Sequence, residues 1–279
     1  MIASALAVVC AMFLIVGGDA AGKLASNMGF APIFVAWARF SVAAAVLLPF
    51  VGLHRSELRL FMDWRLILRA ALIVGGISSI LTALKTTPMA DAFGAFFVGP
   101  IVSYALSAIL LREKTSIVRS VLLGFSFVGV LLVVRPGFGM TPGLGFALLA
   151  GCFHGAYLVA TRWLAGSYRP RFLLYSQLVV GSVLLSPTLL IEIPTMDAQI
   201  VRLLVYSALG SAAGNMILVL VNRTTPATII APLIYTQIFA ATFFGWWQFN
   251  ELPDTLGVIG LMIVVLAGAG SVIFASRRG

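Results

Sequence analysis

Lys85-Thr86-Thr87-Pro88 recurs 138 residues later as Arg223-Thr224-Thr225-Pro226, and that recurrence decides the fold. At the same offset Pro32 falls on Pro170, Phe34 on Phe172, Pro49 on Pro187, Gly76 on Gly214 and Glu113 on Glu251. Chance identities scatter over many offsets, whereas a shared one marks an internal repeat. Beyond Glu113 the register slips by two residues, so that Gly124 matches Gly260.

The repeat sits in a chain made for lipid. Of its 279 residues 61% are hydrophobic and 10% charged, where an ordinary soluble domain is about half apolar and about a quarter charged. A helix that crosses a bilayer needs about 20 mostly apolar residues. Such stretches fall at 3–22, 31–52, 66–85, 88–111, 116–134, 142–164, 171–191, 200–221, 226–249 and 255–275. The fold expected is therefore all-α, with ten transmembrane helices and short loops that leave no room for a soluble catalytic domain. The first stretch lacks a basic start and carries Asp19, so it reads as a span rather than a signal peptide. Cys10 and Cys152 both lie within spans, so neither a disulfide framework nor a metal site is expected.

Five spans belong to each copy, residues 1–139 and 140–279. Five is odd, so the second copy enters the membrane from the opposite side. The result is an inverted repeat with a pseudo-two-fold axis in the membrane plane. Secondary transporters are built this way, with the substrate site near the midplane between the halves.

The net charge of +9 reflects orientation. One face collects Arg55, Arg59, Arg65, Arg69, Arg112, Lys114, Arg119, Arg162, Arg169, Arg171, Arg223, Arg277 and Arg278. The other has Lys23, Lys85, Arg135 and Arg202, with Arg39 inside a span. Basic loops stay cytoplasmic, so both termini are predicted to face the cytoplasm. Nucleic acid is not an expected partner, because no soluble loop interleaves basic and aromatic residues. There is no phosphate-cradling glycine loop, no nucleophilic triad and no paired histidine–carboxylate set. No enzyme activity, cofactor or metal is expected.

Several short motifs resemble the EamA-type half of the drug/metabolite transporter superfamily. They are Ala83-Leu84 with Thr87, Pro100, the run Leu110-Leu111-Arg112-Glu113-Lys114 with Ser116, and Gly124 with Gly129-Val130. Glu251, Pro253 and Gly260 repeat the pattern more loosely in the second half. Within that superfamily the chain looks most like the YddG-type exporters of aromatic and other amino acids. Val16-Gly17 stands where that family has Trp-Gly, and no basic residue follows Glu251. The resemblance implies an inner-membrane exporter of amino acids or similar metabolites that works by alternating access. Carriers of sugar phosphates, nucleotide sugars or cationic drugs are the alternative, and an intramembrane enzyme acting on lipid a remote one.

Ionisable groups inside a span cost about 2.5–3.5 kcal/mol on insertion scales, so each needs an explanation. Asp19, Lys85 and Asp91 are the candidates for gating or charge coupling; proton coupling through Asp19, Asp91 or His154 and simple facilitated diffusion fit the sequence equally. Arg39 needs an anion, and Asp19 is the acid within reach, so the two read as a structural ion pair. His154 and Tyr157 are three apart on span six and share a face. Ser207, Ser211 and Asn215 form a polar stripe on span eight, and Gly75, Ser79 and Ala83 a small-residue stripe on span three. Tyr235 and Gln237 on span nine and Phe97 on span four complete an expected cavity, Phe97 being the repeat mate of Tyr235. The expected substrate-binding set is thus Ser79, Phe97, His154, Tyr157, Asn215, Tyr235 and Gln237. Pro88, Gly94 and Pro226 are expected hinge points. Expected partners are the lipid bilayer and a small-molecule substrate, with one chain holding the whole pathway.

Overall fold

The computed structural model describes residues 2–112, 117–134, 140–164, 166–190, 195–224 and 233–276. They form helices α1 (Ile2–Asn27), α2 (Pro32–Val51), α3 (Trp64–Thr86), α4 (Met89–Phe96), α5 (Gly99–Leu110) and α6 (Ile117–Val134). The second part contributes α7 (Pro142–Trp163), α8 (Pro170–Leu185), α9 (Ala198–Thr224), α10 (Thr236–Phe249) and α11 (Thr255–Ser276). Short 3-10 turns follow α2 (Arg55–Met62) and α8 (Ser186–Leu190).

Local chemistry sets many of the ends. Pro32, Pro142 and Pro170 occupy the first turns of α2, α7 and α8, where the missing N–H costs nothing. Asp63 caps α3 by accepting from the Arg65 amide at 2.9 Å, and Gly52 closes α2 in the left-handed region at φ 60°. A described helix lies in each of the ten apolar stretches. Seven segments among the described residues are long and apolar enough to cross a membrane, and Ser120–Val134 and Thr255–Ala267 are shorter apolar helices. The protein is a multi-pass membrane protein.

The fourth stretch is not one continuous helix. It breaks at Phe97–Val98 between α4 and α5. Pro100 is the cause: it offers no N–H to the carbonyl of Phe96, and its ring crowds that oxygen.

Helices pair in a pattern that survives exchange of the two halves of the chain. α1 lies along α9 and α7 along α3, while α2 meets α8 and α6 meets α11. α10 packs on α1 as α4 and α5 pack on α7. Where α1 crosses α9, Ser207 Oγ donates to the Gly18 carbonyl at 2.7 Å. The Phe97 ring stacks on that of its repeat mate Tyr235, with centroids 4.8 Å apart and planes 20° from parallel.

At the end of the bundle carrying the α2–α3 and α7–α8 connections, Trp64 and Trp163 lie 5.8 Å apart, with the Arg65 guanidinium over both rings. Amphipathic rings of this kind settle at a membrane–water boundary. Tyr168 donates to Asp63 across the two connections. Arg169 grips Glu57 through Nε at 2.7 Å and Nη2 at 2.6 Å. That fork, with burial opposing and the His54 amide assisting, holds the Glu57 carboxyl below its ordinary value. A depressed carboxyl pKa contributes stability above the unfolded value of about 4.3 and loses it as pH falls through the folded one. The protein should therefore unfold at a higher temperature than Glu57→Gln at neutral pH. In a pH series of thermal melts the gap should close below about pH 4.

Two basic residues assigned to the membrane faces are in fact inside the bundle: Lys23 is 3% exposed and Arg69 4%. Both lie near helix ends, where sequence position alone suggests solvent, but polar groups from distant segments satisfy them.

Candidate substrate-binding site

A cavity of about 100 Å³ opens among α2, α3, α7, α8 and α9. Its polar lining consists of Arg39, His154, Tyr157, Gln177, Ser211 and Asn215. Leu47 and Leu174 are shared with a wider cleft of about 300 Å³, whose walls include Phe50, Val51, Pro170, Arg171 and Leu220. These residues stand at the end of α2, the start of α8 and the end of α9. The cavity therefore continues toward the α2–α3 face.

At the opposite end an ion pair links three segments. Lys23 Nζ, near the end of α1, donates to both Glu251 carboxylate oxygens at 2.7 Å and to the Thr87 carbonyl at 3.0 Å. Glu251 also accepts the Met89 amide at 3.2 Å. Phe249 places its ring 4.6 Å from the ammonium. One ion pair thus joins α1, the α3–α4 turn and the α10–α11 connection. Neither Lys23 nor the contact with Glu251 stood out in the sequence, since 228 residues separate them.

Arg39 is 5% exposed and donates Nη1 to Asp19 Oδ1 at 2.5 Å, which is the ion pair expected. Its Nε is buried with no acceptor. Tyr157 lines the cavity through its ring, because its hydroxyl is occupied: it accepts Arg69 Nη2 and donates to Gln177 Oε1, both at 2.8 Å. Arg69 is completed by the Thr161 hydroxyl and the Leu173 carbonyl, each at 2.8 Å. His154 lies 5.1 Å from the Phe96 ring and 5.9 Å from Tyr157, centroid to centroid. Asn215 donates to the Ser211 carbonyl at 2.8 Å, which leaves its side-chain oxygen as an acceptor.

Three of the expected substrate residues, His154, Tyr157 and Asn215, thus share one cavity. Phe97 and Tyr235 stack on each other in the apolar core outside it. Ser79 is buried on α3 and Gln237 half-buried on α10, and neither lines the cavity. Lys85 is exposed on the last turn of α3. Asp91 is half-buried, and a Cβ on Gly257 would come 3.2 Å from its Oδ1, which sets this carboxylate against the first turn of α11. Glu113 and Pro226 lie outside the described residues. The cavity adds Arg39, Gln177 and Ser211. The signal for Gln177 was its repeat register, since it is the mate of Arg39.

The sequence model of the EamA-like transporter family matches the chain twice, over residues 2–135 and 141–273. The chain belongs to the EamA-like transporter family. This EamA protein is 25% identical over 238 residues to an S-adenosylmethionine uptake transporter of Rickettsia prowazekii, covering 84% of this chain and 80% of that one. It is 24% identical over 255 residues to a riboflavin transporter of Vibrio cholerae, covering 87% and 83%. A pseudopaline exporter of Pseudomonas aeruginosa matches at 26% over 196 residues, 66% of each chain. A solved crystal structure superposes over 99% of this chain and 98% of its own, with TM-score 0.69 and 18% identity, and so shares the fold. The EamA and superfamily resemblance thus stands. The narrower likeness to YddG-type aromatic amino acid exporters is not the one these relatives carry.

Proposed function

We propose that this EamA carrier moves amino acids and related small metabolites out across a bacterial inner membrane. It does so by alternating access between two five-span halves of opposite orientation, residues 1–139 and 140–279, with both termini cytoplasmic. The observation that supports this reading best is the cavity itself. Arg39 of the first half and His154, Gln177 and Asn215 of the second line one space that leads to one face, while Lys23 and Glu251 tie the other. A site reached from one side at a time is what alternating access needs. Relatives named for metabolite transport, one of them for an amino-acid derivative, support the substrate class. A cationic drug would call for an acid in the cavity wall. Among the described residues the lining has none, and the nearby Asp19 is engaged by Arg39.

The test is flux into liposomes containing the purified protein, with labelled phenylalanine, tryptophan, methionine and threonine, with and without a pH gradient. Saturable flux absent from empty liposomes is the expected result. Flux of none of the four with folded protein would overturn the amino-acid reading.

A further inference from the structure

We propose that Arg39 and Gln177 form a carboxylate site, so that the substrate is a net-neutral zwitterion anchored by its carboxylate. This deepens the carrier reading and rests on it.

The argument starts from donors left over. A guanidinium presents five N–H groups in a rigid fork. Asp19 takes Nη1, and Nε, part of the side-on edge that suits a carboxylate, is buried without an acceptor. A buried donor left unsatisfied is destabilising, and this one belongs to a side chain that is 95% buried and lines the cavity. Across the cavity Gln177 accepts the Tyr157 hydroxyl through Oε1, which leaves its amide nitrogen as a donor for a ligand. Arg69 and Tyr157 support that orientation: Arg69 donates to the tyrosine oxygen, and the hydroxyl proton goes to Gln177 Oε1. Arg39 and Gln177 are repeat mates on α2 and α8, which pack against each other. The two residues line one cavity from the two halves of the chain, and a carboxylate has one oxygen for each spare donor.

Charge selects the rest of the substrate. Asp19 already neutralises Arg39, so a net anion would add a negative charge to a pair that is already balanced in the membrane interior. A zwitterion brings none. Its ammonium can meet the Asn215 oxygen, the acceptor left after that residue donates to Ser211.

The experiment compares each of the four amino acids with its carboxamide as competitors of the labelled probe. The same pairs are scored by the rise in unfolding temperature that a bound ligand produces. Removing both members of the ion pair in Asp19→Asn/Arg39→Gln avoids leaving either charge buried alone. The natural protein should prefer the acid over the amide by about 10- to 100-fold, the range of one charge-assisted hydrogen bond, and the double variant should lose that preference while still folding. Arg39→Lys, which keeps the charge but not the fork, should lose part of it. Equal competition by acid and amide in the natural protein, or an undiminished preference in the folded double variant, would overturn the site. Absent flux with acid-selective stabilisation would sink the amino-acid carrier reading and leave the site standing. Absence of both would sink the two together.

Discussion

Glu251→Gln should unfold at a temperature several degrees below the natural protein, and the double variant Lys23→Met/Glu251→Gln should recover most of the loss. Lys23 is 3% exposed and its anionic partner is Glu251, held at 2.7 Å through both oxygens. Removing one member of a buried ion pair costs about 3–5 kcal/mol, because the other charge stays desolvated and unpaired. Removing both leaves side chains of nearly the same volume without that charge. Thr87 and Phe249 still contact the site in the single variant, yet a carbonyl and a ring face do not replace a carboxylate.

The same pair of variants separates folding from gating. With the tie gone, the double variant should open more readily at the end where α1, α3 and α10 finish. A cysteine placed at Lys85, which is exposed there, is a poor reporter. One placed at Ala21, buried two residues before Lys23, should react with a membrane-impermeant thiol reagent several-fold faster in the double variant. Equal rates would show that the tie holds the fold without holding the gate.

What the sequence made legible follows the range of the interactions. The spans were readable because hydrophobic length is a local property. Helix starts at Pro32, Pro142 and Pro170 were local too. Arg39 and Asp19 could be paired because a buried cation demands an anion and the adjacent helix offered one. Lys23 and Arg69 were misplaced for the complementary reason. Near a helix end a basic residue reads as solvated, and its burial depends on Glu251, Thr161 and Leu173, far along the chain. Phe97 and Tyr235 were read as repeat mates lining a cavity, but the sequence could not say that stacking on each other would take them out of it. Tyr157 was found without its partners, so the use of its hydroxyl was hidden.

Gly151→Ala and Gly155→Ala should each remove most of the folded, transport-competent protein, while Gly145→Ala on the same helix should leave it intact. The cause is the break in the fourth span. Because Pro100 offers no N–H to the Phe96 carbonyl, that oxygen is free to turn toward α7, where a Cβ on Gly151 would come within 2.4 Å of it. One turn on, a Cβ on Gly155 would come within 2.5 Å of the Gly99 carbonyl and 3.0 Å of the Ser103 amide nitrogen. Both obstacles are backbone, so relief requires moving α4 and α5 rather than a rotamer. Small residues at such crossings are what allow helices in lipid to pack closely, and inserted methyl groups in a tight core typically cost about 1–3 kcal/mol. At Gly145 the nearest group is the flexible tip of Met140 at 3.6 Å, and alanine favours the helix by up to about 1 kcal/mol. The crossing also matters for the site, since His154 and Tyr157 project from this same length of α7. A displaced α7 would shift the Tyr157–Gln177 hydrogen bond that orients the amide. Size-exclusion profiles, followed by flux on whatever folded fraction remains, measure both consequences. Wild-type yield and flux in Gly155→Ala would mean that α5 can retreat from α7 at no cost to the cavity.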